Sequence, residues 1–286
     1  MKQKVSDYIA EYIAQWGIRD VFTVTGGGAM HMNDAFGHHK MLHCTYQHHE
    51  QACAMAAEAY ARLGNKMAAV CVTTGPGATN AITGVLGAWM DSIPMLVFSG
   101  QARYATTVSA SGLPLRSMGV QECNIVPVVK SLTKYAHMIV HPENIRYHLE
   151  KALYLAVNGR PGPVWLDIPL DVQGAVIETD DLKAYDPEEN PEQKPREIKD
   201  ETVEQILDKL QESKRPVLSP GNGVRLAGAH EDFYQLAELL GVPVVTGMSS
   251  VDAIESDHPL FVGRSGGTGT RPGNFALQNS DVLLSL

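Results

Sequence analysis

The four cysteines, Cys44, Cys53, Cys71 and Cys123, include no CxxC spacing, and the sequence opens without a signal peptide. A disulfide framework is therefore not expected, and a reducing cytoplasm is the expected compartment. No apolar stretch approaches the ~20 residues of a membrane helix, so no membrane partner is expected. Basic runs are also missing. Twenty-three Lys and Arg against 32 Asp and Glu leave a net charge of −9, which argues against nucleic acid as a partner. Neither GxGxxG nor GxxxxGK[ST] occurs, so ordinary dinucleotide and P-loop readings lose support. His49-Glu50 begins like HExxH, but position 53 is cysteine. The pairs His38-His39 and His48-His49 carry side chains that diverge, and no metal ligands are assigned in this chain.

What is present is a chain of 286 residues, 44% hydrophobic and 19% charged, enough for about two domains with real cores. Its composition breaks once, at ETDDLKAYDPEENPEQKPREIKD (178–200), a proline-rich, charged stretch that reads as a surface linker. The expected division is a domain over 1–177, a linker over 178–200 and a smaller domain over 201–286. Helical and strand patterns alternate on both sides of the break. KVSDYIAEYIAQWG, EQACAMAAEAYARLG, ATNAITGVLGAWMD and PENIRYHLEKALYLAVNG have helical periodicity, while DVFTVT, MAAVCVTT, IPMLVFSG and PGPVWLDIPLDV read as strands. After the break TVEQILDKLQES and HEDFYQLAELLG read as helices, and PVLSPGNG, VPVVTG and DVLLSL as strands. The fold class is therefore α/β, with parallel sheets covered by helices. The sequence stops at Leu286 within a strand-like run, so a longer polypeptide is expected.

Ligands of parallel α/β sheets bind in loops beyond the carboxyl ends of the strands. Three such loops are glycine-containing: Gly26-Gly27-Gly28, Gly75-Pro76-Gly77 and Ser99-Gly100-Gln101. Each alone is as well explained by a tight turn. Glu50 stands in the first turn of an apolar helix, among Ala52, Cys53, Ala54, Ala56 and Ala57. It reads either as a solvated charge favourable to the helix dipole or as a carboxyl in a dry pocket, with its pKa raised so that it can share a proton.

Taken in order, VFTVTGGG (21–28), HHEQACAMAAEAYAR (48–62), TTGPGATNAITGVLGAWMDSIPMLVFSGQ (73–101), VQE (120–122) and NGRPGPVWLDIPLDV (158–172) resemble the thiamine diphosphate-dependent enzymes of the acetolactate synthase and pyruvate oxidase type. The resemblance implies that 1–177 is the pyrimidine-binding domain and 201–286 an incomplete Rossmann-like central domain. It implies thiamine diphosphate as cofactor. Mg²⁺ would be held with the diphosphate by a third domain marked by GDG, and this sequence contains no GD pair. The chain alone is accordingly expected to be inactive. Glu50 corresponds to the family glutamate that hydrogen-bonds N1′ of the aminopyrimidine and favours the 4′-imino tautomer, which takes the C2 proton. Thr25, Gly26, Gly75, Pro76, Gly77 and Asn80 correspond to cofactor-facing loop residues, and Gln121 to a glutamine that, in the synthases, faces the substrate from the neighbouring subunit's cofactor.

The resemblance implies an enzyme, a carboligase or decarboxylase of 2-oxo acids, working as a homodimer or homotetramer. Two positions depart from the pattern. Thr25 stands where the synthases usually have proline. Ser265-Gly266-Gly267-Thr268-Gly269-Thr270 stands where FAD-binding synthases carry a Gly-Met-His-Gly-like run. Acetolactate formation and FAD binding are therefore left open beside a lyase or hydrolase of another dione or sugar-derived substrate. A non-catalytic family member is a third reading, disfavoured by the carboxyl group at position 50.

Overall fold

The computed structural model describes residues 1–193 and 197–286. It divides into two units, Met1–Pro195 and Arg196–Leu286. The first unit holds β1 (Lys2–Lys4), β2 (Asp20–Thr23), β3 (His43–Tyr46), β4 (Ala69–Val72), β5 (Met95–Gln101), β6 (Tyr135–Met138), β7 (Pro163–Pro169) and β8 (Val176–Glu178). Six of these form one sheet in the order β3-β2-β4-β5-β7-β6. Every pairing in that sheet is parallel.

The three central strands explain the arrangement. In β4, β5 and β7 every residue is buried, as expected of strands covered on both faces. One face packs the helices Val5–Trp16, Met30–His38 and Ile145–Val157 through Ile9, Ile13, Phe36 and Leu149. The other carries the helices Glu50–Gly64 and Ile82–Met90. These two helices touch backbone to backbone, because a Cβ at Gly84 would lie 2.6 Å from the Cβ of Ala54.

The helix predicted over 78–91 is two helices, Pro76–Asn80 and Ile82–Met90. At Ala81 the amide bonds to the carbonyl of Ala78 at 3.2 Å, a tighter three-residue step that interrupts the α-helical pattern. The stretch read as a surface linker from 178 is packed on the first unit as far as Gln193. Glu178 pairs with Lys2 in β8, and Leu182 and Tyr185 are buried. The Tyr185 amide donates to Glu150 at 2.7 Å, and the Tyr147 hydroxyl to Glu189 at 2.5 Å. Apolar side chains spaced among the charges thus tie the segment down. Residues 194–196 of the same stretch lie outside the described residues.

The second unit holds β9 (Pro216–Ser219), β10 (Val244–Thr246), β11 (Phe261–Arg264) and β12 (Val282–Ser285) in the order β11-β10-β9-β12. All three pairings are parallel. Its core gathers Leu218, Phe233, Ala237, Val244 and Ile254. Among the described residues no helix is long and apolar enough to cross a membrane.

Candidate active site

The carboxyl ends of β2, β4 and β5 bring three loops together. Thr73 Oγ1, just past β4, accepts from the Gly28 amide at 3.0 Å. Asn33 Oδ1 accepts from the Gly26 amide at 3.3 Å, and Asn33 Nδ2 donates to Thr23 Oγ1 at 3.3 Å. The glycine loop after β2 is therefore pinned from two sides.

Glu50 begins the helix Glu50–Gly64, whose first turn is capped by His49 Nδ1 accepting from the Gln51 amide at 3.1 Å. The Glu50 Oε2 atom accepts from Asn80 Nδ2 at 2.9 Å. Its Oε1 atom lies 3.3 Å from where a Cβ on Gly77 would stand, so a larger residue there would press on the carboxylate. Pro76 occupies the first turn of the short helix Pro76–Asn80 and is exposed. Glu50 is half-buried and Asn80 exposed, which places the carboxylate at the rim of the unit rather than in a dry pocket. Its charge is nonetheless felt nearby. Burial first, and the Glu50 carboxylate second, push the Cys53 thiol up to about 12.

Gln121 stands against the start of the same 75–80 loop. Gly75 adopts φ +61°, ψ −112°, a conformation that L side chains avoid, and a Cβ there would lie 2.1 Å from the Gln121 carbonyl oxygen. Gln121 itself has φ +58° and is exposed. The turn that carries it is gathered by Glu122, whose carboxylate accepts from the amides of Val108 (2.7 Å), Met118 (2.9 Å) and Gly119 (2.9 Å). Burial acts to raise the Glu122 pKa, but the three amide bonds prevail and hold it below its ordinary value.

Beside Gln121 and the Gly27-Gly28 turn lies a cavity of about 350 Å³ lined by Gly27, Gly28, Thr74, Gln101, Val120 and Gln121, among others; Glu50, Gly77 and Asn80 are not in its lining. Thr74 Oγ1 is buried and makes no hydrogen bond among the described residues. The residues fit an aminopyrimidine cofactor. One carboxylate oxygen is oriented by an amide, the other makes no hydrogen bond among the described residues, and the loops approach closely at glycine.

The structure thus joins Glu50, Gly77 and Asn80 in one cluster and Gly75 with Gln121 in another, while Gly26 packs on Thr73. Thr25 is exposed and makes no hydrogen bond to the other candidates among the described residues. Thr73, Thr74 and Asn33 escape sequence reasoning. The two threonines directly precede the Gly75-Pro76-Gly77 turn, which was the available signal; Asn33 has none. In the second unit, Thr270 Oγ1 accepts from the amides of Arg264 (3.1 Å) and Gly273 (3.3 Å), and Asn274 Oδ1 from Gly266 (2.9 Å). The 265–270 run is therefore a closed turn leading into the helix Arg271–Asn279. Among the described residues no group of three or more His, Cys, Asp or Glu is placed to hold a metal ion.

Residues 3–123 match the family described as thiamine pyrophosphate enzyme, N-terminal TPP binding domain, and residues 203–286 match thiamine pyrophosphate enzyme, central domain. The chain is 34% identical to Acetolactate synthase 2, chloroplastic, of Zea mays over 99% of this chain and 43% of the relative. It is 32% identical to the acetolactate synthase large subunit of Lactococcus lactis subsp. lactis over 98% of this chain and 47% of the relative. With that of Corynebacterium glutamicum it shares 35% identity over 93% and 41%. The chain therefore spans less than half the length of these curated relatives.

Proposed function

Because the chain belongs to the thiamine pyrophosphate enzymes, of which it carries the N-terminal binding domain and the central domain, we propose that the protein is a thiamine diphosphate-dependent carboligase or decarboxylase of 2-oxo acids, acetolactate synthase-like in its reaction. The observation that carries this reading is the Glu50 carboxylate, oriented by Asn80 and flanked by Gly77.

Thiamine diphosphate, when bound, supplies the carbon nucleophile and the electron sink. The chain supplies placement and a proton. Glu50 Oε1 would be the atom placed to exchange a proton with the bound cofactor's pyrimidine ring, while Asn80 holds Oε2 and with it the plane of the carboxyl group. Gly75, Pro76 and Gly77 keep the loop low enough for the ring to approach, and Thr25 and Gly26 form the neighbouring wall. Gln121, which lines the cavity, faces the substrate. Mg²⁺ and the diphosphate are assigned to residues outside this chain, which offers no GD pair. Carboligation has no net redox step and asks no electron transfer of FAD, whose binding stays open beside this reading.

The protein is proposed to act as a homodimer or homotetramer in the cytoplasm. Support for self-association comes from the outer faces of the helices Glu50–Gly64 and Ile82–Met90, where Met55, Leu63, Leu86, Trp89 and Met90 are exposed. Light scattering at micromolar concentration checks this, and a monomer at all concentrations would count against it. Four unpaired cysteines are in keeping with a reducing compartment, which cell fractionation tests.

Pyruvate, Mg²⁺ and thiamine diphosphate are the reagents for the deciding assay. Acetolactate as product supports the carboligase, and acetaldehyde alone the decarboxylase. Turnover of cyclic or sugar-derived diones without pyruvate turnover selects the lyase or hydrolase reading, which the exposed Thr25 in a usual proline position favours.

A further inference from the structure

Beneath the cavity lies a hydrogen-bond network that the cofactor reading does not use. Asp167 sits in β7 beside Ser99 of β5 and is fully buried, as are Ser99 and Trp165. Trp165 Nε1 donates to Ser99 Oγ at 2.8 Å, and Ser99 Oγ donates to Asp167 Oδ1 at 2.6 Å. Gln101, 1% exposed, donates from Nε2 both to Asp167 Oδ2 at 3.0 Å and to the Cys123 carbonyl at 2.7 Å, and its Oε1 accepts from the Ala102 amide at 3.0 Å.

This pattern admits one orientation of the Gln101 amide. An indole N–H can only donate, so the Ser99 hydrogen is directed at Asp167. Turning the Gln101 amide over would set its oxygen against the Cys123 carbonyl and its NH₂ against the Ala102 N–H. Burial pushes the Asp167 carboxyl up to about 7, against the opposing bonds from Ser99 and Gln101. A proton taken up at Oδ1 and turned toward Ser99 Oγ displaces the Ser99 hydrogen from that bond but leaves Oδ2 still accepting from Gln101. The orientation therefore survives titration.

We propose that Gln101 is a positioning residue: held in one amide orientation by the buried Asp167, it fixes residues 119–123 and so sets where Gln121 stands at the cavity. The Cys123 carbonyl is the point of attachment. Two residues back, the Gln121 carbonyl oxygen fills the space a Cβ on Gly75 would need, at the head of the loop that ends in Asn80. The positioning is a property of the chain itself, while its consequence for substrate rests on the function proposed above.

Two measurements separate these claims. The first is backbone amide hydrogen exchange over residues 118–123. Gln101→Met keeps the volume and removes the donor to Cys123. Exchange there is expected to quicken at least tenfold, with β5 and β7 unchanged as a control for folding. Asp167→Asn preserves an acceptor for Gln101 and is expected to stay within threefold of wild type. Unchanged exchange in Gln101→Met, with the strands intact, overturns the proposal. So does equal loosening in both variants, since the network would then be merely structural. The second measurement is steady-state kinetics of the complete enzyme. KM for the 2-oxo acid is expected to rise about tenfold in Gln101→Met, with thiamine diphosphate affinity within twofold. Faster exchange with unmoved KM would leave the positioning standing and remove Gln121 from the substrate side of the proposed function.

Discussion

Asn80 Nδ2 stands 2.9 Å from Glu50 Oε2, joining the start of one helix to the end of another across 30 residues of sequence. The bond commits one carboxylate oxygen and leaves the other facing the loop of Gly77. A charge that merely favoured a helix dipole would need no such partner. Replacing Glu50 with glutamine keeps the size and removes the transferable proton. In the complete enzyme the expected loss of turnover is about 10²–10⁴-fold. A solvated first-turn charge would cost only ~0.3–1 kcal/mol of stability. NMR-monitored exchange of the cofactor's C2 proton isolates the step, and rates within a few-fold of wild type would remove Glu50 from its assigned role.

Asn80→Ala deletes the orienting donor but keeps the carboxylate. A hydrogen bond to a charged group is worth about 1.5–3 kcal/mol when buried, and the exposed setting here favours the low end. A roughly tenfold fall in kcat is expected, distinctly milder than for Glu50→Gln. Equal losses in the two variants would mean that Asn80 does more than orient its partner.

Gly75→Ala adds a Cβ at φ +61° directly against the Gln121 carbonyl, at 2.1 Å. Strain of this kind costs about 1–3 kcal/mol before any clash is counted. A lowered urea midpoint, together with faster amide exchange over 118–123, is the expected outcome. An unchanged midpoint would show that the turn yields easily.

Histidine rings 137 and 148 stack at 3.9 Å, and the Tyr135 hydroxyl bonds to His148 Nδ1 at 2.7 Å. Burial first, then the nearby His137 and Lys151 charges, lower the His148 pKa to about 4. The unfolded value is about 6.5, so the unfolded chain takes up this proton first as pH falls. Stability from His148 is therefore lost between about pH 6.5 and 4, by about 1–2 kcal/mol once partial exposure is allowed for. Asp167 works in the opposite sense over the same window, because its folded pKa is raised and the folded state binds the proton first. The difference between wild type and His148→Gln isolates the histidine. Urea midpoints at pH 7 and 5 should fall less in the variant; parallel slopes would refute the assignment.

The parts of the fold that could be read from the sequence are those where one physical effect dominates. VCV and MLVF are apolar without interruption because the strands they form are covered on both faces. The edge strand His43–Tyr46 was not expected, since a half-covered edge tolerates His43 and Thr45 and dilutes the pattern. Leu182 and Tyr185 were hidden in a charged, proline-rich stretch, whose average composition masks two buried side chains. At the site, Glu50 and the Gly75 turn could be found because motif and conformation coincide. Asn33, Thr74 and the pairing of Gln101 with Asp167 depend on contacts between distant segments, for which a single sequence offers no local signal.

The short antiparallel pairing of β1 with β8 sets Lys2 opposite Glu178 and Lys4 opposite Val176. The chain then runs on over the same unit as far as Gln193. In mechanical terms the pairing is a clasp: a load that pulls Met1 away from Glu178 meets these two short strands before it reaches the parallel sheet.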